Sequence, residues 1–235
     1  MLNQFSRAEA LIGADNQEKL RNSKVIIFGI GGVGGYVLEA LTRCGIGKIH
    51  IVDNDKVSLT NINRQIVALH STIGEYKVDV AEKRMLDINP DVKIKKYKTF
   101  YLPENKNDFD FSQYNYIVDA IDTVKAKISI IEEASKNNIP IISAMGAGNK
   151  LDPTKFEVSD ISKTSVCPLA RVIRTELKKK NIKNVKVVYS KEEPAKYGNN
   201  SELTASGHPV AGSIAFCPSV MGLIMASVVI RDLIK

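Results

Sequence analysis

The sequence predicts an α/β protein: a Rossmann-like, doubly wound and mostly parallel sheet with additional C-terminal strands and a helix. Three observations predict it. Short Ile- and Val-rich runs suit strands buried on both faces of a parallel sheet. Stretches of helical periodicity separate them. A glycine cluster sits at the first strand-to-helix junction. The 235 residues are 44% hydrophobic and 25% charged, which supports a sizeable core and excludes disordered, collagenous and coiled-coil chains. No linker, repeat or low-complexity tract divides them, so residues 1–235 read as one domain.

Lys24 to Gly29 (KVIIFG) is the first strand. From Val33, residues Val37, Leu38 and Leu41 recur at helical spacing until Gly45 stops the pattern, and Lys48 to Val52 (KIHIV) alternates as a second strand, completing a βαβ unit. Glu75 to Asn89 is helical, with Val78, Ala81, Met85 and Ile88 on one face and Pro90 closing it. Val92 to Tyr97 is the next strand, followed by Tyr116 to Ile121 as strand, Lys125 to Lys136 as helix and Ile139 to Ser143 as strand. Beyond Gly146 the alternation loosens. Phe156 to Ile161 reads as an edge strand, Leu169 to Lys180 as a basic helix and Val185 to Tyr189 as a last strand. Glu192 to Gly212 lacks periodicity and reads as a functional loop. Gly212 to Ile230 is an uncharged run of 19 residues, but it carries Pro218, Gly222 and three serines and ends at Arg231-Asp232. That pattern favours a buried helix, with membrane association as the second reading.

Cys44, Cys167 and Cys217 are an odd count with no CxxC pair, which fits neither a disulfide framework nor a four-cysteine zinc site. A reducing cytoplasm is the expected compartment, and the charges within MLNQFSRAEALIG argue against an export signal.

Gly29-Ile30-Gly31-Gly32-Val33-Gly34-Gly35 follows a strand and opens a helix, where missing side chains and free N–H groups suit a phosphate. Asp53 ends the second strand where the fingerprint expects an acid for a ribose; the alternative is a tight turn needing glycines only for packing. A redox dinucleotide is the usual inference from such a loop. However, Asp53-Asn54-Asp55, Thr60-Asn61-Ile62-Asn63-Arg64-Gln65 and Gly74-Glu75-Tyr76-Lys77 concentrate amides and two cations just downstream. Arg64 and Lys77 suit a triphosphate that releases pyrophosphate. Asp122 falls at the carboxyl end of a predicted strand with no His or Cys beside it, which suits Mg²⁺, a solvated loop carboxylate or a helix cap.

Taken together, GIGGVGG, Asp53-x-Asp55, TNINRQ, Gly74-x-x-Lys77 and DAID resemble the E1-like adenylating superfamily, whose members activate carboxylates as acyl-adenylates with ATP. The resemblance implies that Gly29, Gly31, Gly32 and Gly34 underlie the phosphates and that Asp53 holds the ribose. It implies that Asn61, Arg64 and Lys77 hold the triphosphate and that Asp122 binds Mg²⁺; Asp55 and Gln65 fall in the same nucleotide-binding segments. It also implies a homodimer in which Arg7 of QFSRAEAL reaches the partner's ATP.

Paired CxxC motifs, usual among the sulfur-carrier activators of the superfamily, are absent. FSRAEALIG, EALTRCGIG, TNINRQIVAL, the segment from SAMGAGNKLDPTKF to RTELKK and GSIAFCPSVMGL instead resemble the tRNA threonylcarbamoyladenosine dehydratase subfamily. That resemblance implies a tRNA carrying t6A at position 37 as substrate. ATP would activate the t6A carboxylate and the ureido group would displace AMP to give cyclic t6A, with sulfur-transfer proteins as further partners. The net charge of +7 is consistent with RNA: eleven Lys and Arg face six acids between Leu151 and Asn200. Arg171, Arg174, Lys178 and Lys179 are the candidate tRNA contacts, against a solvated helix end favoured by the helix dipole. Cys167 has no nearby His to activate it and reads as packing; Cys44 reads as core, Cys217 is unassigned and His208 is a loop polar group. The competing readings are activation of a sulfur-carrier or ubiquitin-like protein's C-terminus, a nucleotide- or RNA-binding scaffold, and an NAD(P) dehydrogenase.

Overall fold

The structure, a computed structural model, describes residues 2–195 and 210–235. Helices α1 (Ser6–Ile12) and α2 (Ala14–Asn22) precede β1 (Lys24–Phe28), α3 (Gly34–Arg43), β2 (Lys48–Val52), α4 (Lys77–Ile88) and β3 (Lys93–Tyr97). Next come β4 (Tyr116–Asp119), α5 (Val124–Lys136), β5 (Ile141–Ala144), β6 (Phe156–Asp160), α6 (Pro168–Lys179), β7 (Lys186–Ser190) and α7 (Phe216–Leu233). The strands form one sheet in the order β3-β2-β1-β4-β5-β7-β6, parallel except for β6, which pairs antiparallel with β7. The strand order reverses between β1 and β4, and such a switch point opens a crevice at the carboxyl ends of the strands.

Each predicted strand and helix forms, with ends shifted by a few residues. One strand shift is instructive: β4 stops at Asp119 rather than Ile121, where the Asp119 carboxylate accepts the Ile121 N–H and turns the chain. Sequence periodicity marks neither α1 nor α2, both short and polar. The sheet is buried on both faces. Ile27, Ile49 and Val118 meet α3 and α7 on one side, while Ile26 and Phe28 meet Phe109, Phe111, Ala126 and Ile130 on the other. The edge strand β3 carries Lys93, Lys95 and Lys96, charges that discourage pairing with another sheet.

The C-terminal apolar run forms α7, the one helix among the described residues long and apolar enough to cross a membrane. It packs on α3 and β5 with Met221, Gly222, Met225 and Val229 buried, as the buried-helix reading expects. A Cβ on Gly222 would lie 2.4 Å from the Val33 carbonyl, so glycine sets how closely the two helices approach. Cys44 departs from expectation: it is the half-buried C-cap of α3, at the turn that Gly45 makes with φ +88°.

Candidate active site

A cavity of about 720 Å³ opens at the switch point, lined by Gly29, Gly31, Gly32 and Val33 on the nucleotide-loop side. Gly29 has φ +88°, and its N–H donates to the Val52 carbonyl at 2.9 Å, tying the turn to β2. A Cβ on Gly34 would lie 1.8 Å from the Gly29 carbonyl oxygen. Gly34 therefore works behind the turn rather than lining the cavity, and any side chain there would open the loop. No side chain caps α3, and the Gly35, Tyr36 and Val37 N–H groups donate to the Gly31 and Val33 carbonyls, so the groups a phosphate would meet are the glycine-loop N–H groups just before them.

Asp53 lines the cavity, yet much of its capacity serves the loop itself. Oδ2 accepts the Ile30 N–H at 2.7 Å and Oδ1 accepts the Asp55 N–H at 2.8 Å. Burial pushes its carboxyl above the usual range, against the lowering pull of Lys77 and these two N–H groups. Asp55 pairs with Lys77 at 2.7 Å, and the Lys77 side chain is 6% exposed while that of Asp55 is 49% exposed. Asn61 lines the wall beside them, its Oδ1 accepting the Ser58 N–H at 3.2 Å. Arg64 is steadied by the Thr60 carbonyl at 2.8 Å and Asn63 Oδ1 at 2.9 Å. Gln65 Oε1 is buried with no hydrogen-bond partner, although Gln65 lines the cavity. The glycine cradle and two cations fit a nucleoside triphosphate, whereas the orphan Gln65 acceptor calls for a donor such as a ribose hydroxyl rather than a phosphate oxygen.

Asp122 sits in the exposed turn after β4 and lines the same cavity, with the Thr123 hydroxyl 3.4 Å from Oδ1. It does not cap α5, whose N-cap is Thr123 without a side-chain bond. Among the described residues no group of three or more His, Cys, Asp or Glu could hold a metal alone. A single carboxylate fits Mg²⁺, which is commonly held by one or two carboxylates, waters and substrate phosphates.

The opposite wall is Ala144 to Gly148, with Thr99 to Leu102 and Pro218 completing the lining. Ala144 to Gly148 and Pro218 fall in segments that carry the subfamily resemblance, but no site role was read from them, and Thr99 to Leu102 fall in no motif; the signal for a site here was the rule that ligands bind beyond the carboxyl ends of strands. Asn149 joins this wall to both flanks of residues 196–209. The Ala195 N–H donates to its carbonyl, and Asn149 exchanges two 2.7 Å bonds with Gly212.

Leu169, at the start of α6, also lines the cavity, which brings the first turn of the basic helix to the site. Arg171 and Lys178 are exposed along it. Arg174 is engaged by the Thr164 carbonyl and hydroxyl at 2.7 Å, and Lys179 pairs with Glu176. Cys167 is the buried N-cap of α6, packed against Gly146. Cys217 is buried with its thiol donating to the Lys150 carbonyl at 3.1 Å, and burial raises its pKa. Arg7 is exposed on α1 and does not line this cavity. His208 and Lys196 lie outside the described residues.

Known proteins resemble this chain over nearly its whole length. The chain is 45% identical to the tRNA threonylcarbamoyladenosine dehydratase of Bacillus subtilis (strain 168), over 100% of this chain and 96% of that protein. The crystal structure of the E. coli tRNA N6-threonylcarbamoyladenosine dehydratase TcdA in complex with ATP superposes with a TM-score of 0.89 at 32% identity, covering 98% of this chain and 93% of the other. The same enzyme in complex with AMP gives a TM-score of 0.89 at 31% identity, with the same coverage. The match to the ThiF family spans residues 5–235, and the chain belongs to that family.

Proposed function

We propose that this chain is an ATP-dependent tRNA threonylcarbamoyladenosine dehydratase that acts as one adenylating domain. The observation that carries this reading is one cavity lined by the glycine loop with Arg64 and Lys77, by Ala144 to Gly148 and by Leu169 of the basic helix α6. Similarity to dehydratases over the full chain supports the same substrate.

In this reading ATP lies along the glycine loop, with Asp53 and Gln65 toward the ribose and Asn61, Arg64 and Lys77 around the triphosphate. A t6A carboxylate oxygen attacks the α-phosphorus, pyrophosphate leaves, and Arg64 and Lys77 take up its charge. The ureido group then attacks the activated carbonyl, loses a proton and expels AMP, so the nucleoside loses one water overall. Proximity supplies much of the acceleration in that intramolecular step. Mg²⁺, when bound at Asp122, supplies charge neutralisation at the phosphates. The chemistry needs no enzyme thiol, so a sulfur-transfer protein would act outside these steps.

RNA is held by charge rather than by sequence readout, with Arg171 and Lys178 as the free contacts of α6 and Arg174 and Lys179 contributing from their engaged positions. Cytoplasmic residence follows from such a substrate. Arg7 would serve the active site of a second copy in a homodimer. Mixing Arg7→Ala with Asp122→Ala protein should restore part of the activity, and no complementation would remove Arg7 from the site.

The test of the whole reading is nucleoside mass spectrometry, with neutral workup, of t6A-containing tRNA incubated with the protein, ATP and Mg²⁺. Loss of one water from t6A with stoichiometric AMP is the expected result. Unchanged tRNA, with pyrophosphate exchange driven by a small carrier protein's C-terminal carboxylate, would overturn it in favour of carrier activation.

A further inference from the structure

Three polar side chains sealed from water meet beneath the site, and none takes part in the steps above. Asp119 ends β4, Lys127 lies one turn into α5 and Ser143 belongs to β5; each is 0% exposed. Asp119 Oδ2 accepts from Lys127 Nζ at 2.8 Å and from the Ser143 hydroxyl, while Lys127 Nζ lies 3.4 Å from Ser143 Oγ. Asp119 Oδ1 accepts the Ile121 N–H at 3.3 Å.

A sealed ion pair gives little net stability relative to well-packed apolar side chains, because both ions must be stripped of water. What it supplies here is direction. These bonds join the turn that carries Asp122, the first turns of α5 and the strand that continues into the Ala144 to Gly148 wall. Among the described residues Asp122 itself has only a 3.4 Å contact with the neighbouring Thr123 hydroxyl. Its place is therefore set by the backbone of the turn, and that turn is set by Asp119.

We propose that Asp119, Lys127 and Ser143 form a positioning unit that fixes the Asp122 turn against the Ala144 to Gly148 wall. The unit sets the separation between the magnesium-binding carboxylate and the wall that receives the RNA carboxylate. This rests on the reading of Asp122 as the magnesium ligand. None of the three touches substrate.

The experiment compares wild type, Asp119→Leu/Lys127→Met, Ser143→Ala and Asp122→Ala by thermal unfolding, calorimetric titration of the ATP-loaded protein with Mg²⁺, and steady-state kinetics. The double variant removes both charges together, so no lone ion is left buried. It should keep its KM for ATP within about twofold and lose roughly 10- to 100-fold in magnesium affinity, the usual cost of disturbing a group that orients a ligand. Its kcat should fall about 100-fold, as expected for a displacement near 1 Å. Ser143→Ala should show the same split at roughly 3- to 10-fold, and it carries the test if the double variant does not fold. Wild-type magnesium affinity and kcat in the folded double variant, or in Ser143→Ala when that variant alone folds, would overturn the proposal while leaving the Asp122 reading intact if Asp122→Ala loses magnesium. Unchanged magnesium binding in Asp122→Ala would overturn both.

Discussion

The ends of β2 and β4 repeat one device in two settings. Just beyond β2, Asp55 pairs at 2.7 Å with Lys77, the first residue of the helix that follows; at the end of β4, Asp119 pairs at 2.8 Å with Lys127 of α5. Both lysines are buried, but Asp55 is half-exposed to the cavity whereas Asp119 is closed off. Water and counterions screen the first pair, which makes it cheap to exchange. Deep in the sheet the second pair bonds otherwise only to neutral groups among the described residues, the Ser143 hydroxyl and the Ile121 N–H, and losing one ion strands the other. Lys77 is thus a charge that can turn toward a phosphate, and Lys127 is one that cannot. The same pairing yields a working group or a fixed one according to its access to solvent.

The largest expected effect separates the two lysines by stability. Lys127→Met should lower the unfolding free energy by about 3–5 kcal/mol in urea titrations, the cost of an uncompensated buried carboxylate. Lys77→Met should cost about 1 kcal/mol or less, because Asp55 keeps its water, while adenylation slows about 100- to 1,000-fold. Equal destabilisation by the two substitutions would break the comparison. Asp55→Asn sharpens it: if the carboxylate only parks Lys77, the KM for ATP should fall up to about fivefold, equivalent to about 1 kcal/mol. A rise in KM would instead assign Asp55 to the nucleotide.

A further effect concerns a third pair, intermediate in exposure. Asp232 is 16% exposed, and although burial pushes its carboxyl up, bonds from Lys186, Lys235 and Tyr116 prevail and hold it at about 2. A depressed carboxylate stabilises the fold above its unfolded pKa and loses that contribution as pH falls. Acid unfolding between pH about 4 and 2 should therefore flatten in Asp232→Asn, with a loss of about 1–2 kcal/mol near neutrality. A variant whose stability falls with acid as steeply as wild type would detach Asp232 from the acid limb.

How much of this was legible depended on whether the cause was local. KVIIF and KIHIV announce strands because a parallel sheet buries both faces, and the glycine loop, Asp53, Asn61, Arg64, Gln65, Lys77 and Asp122 fall in short motifs. Gly34 was readable as a necessary glycine but not as one standing behind the turn, since that depends on how Gly29 folds back. Lys127 reads as an ordinary helix charge: nothing nearby in sequence says that Asp119, eight residues earlier, and Ser143, sixteen later, close over it. Pro218 and residues 144–148 lie in segments that carry the subfamily resemblance, but their place at the glycine loop was hidden, because only the sheet order brings them there.

The close contact of α7 with α3 has a consequence in time. Gly222 seats against the Val33 carbonyl, and a Cβ on Gly32 would lie 3.2 Å from Pro218, so the phosphate cradle is braced by residues made long after it. With about 190 residues between them and elongation at roughly 5–20 residues per second, the loop waits about 10–40 s for its brace during synthesis. Through that interval a nascent chain lacks the complete nucleotide site, and binding of ATP cannot begin to reward folding until α7 has left the ribosome.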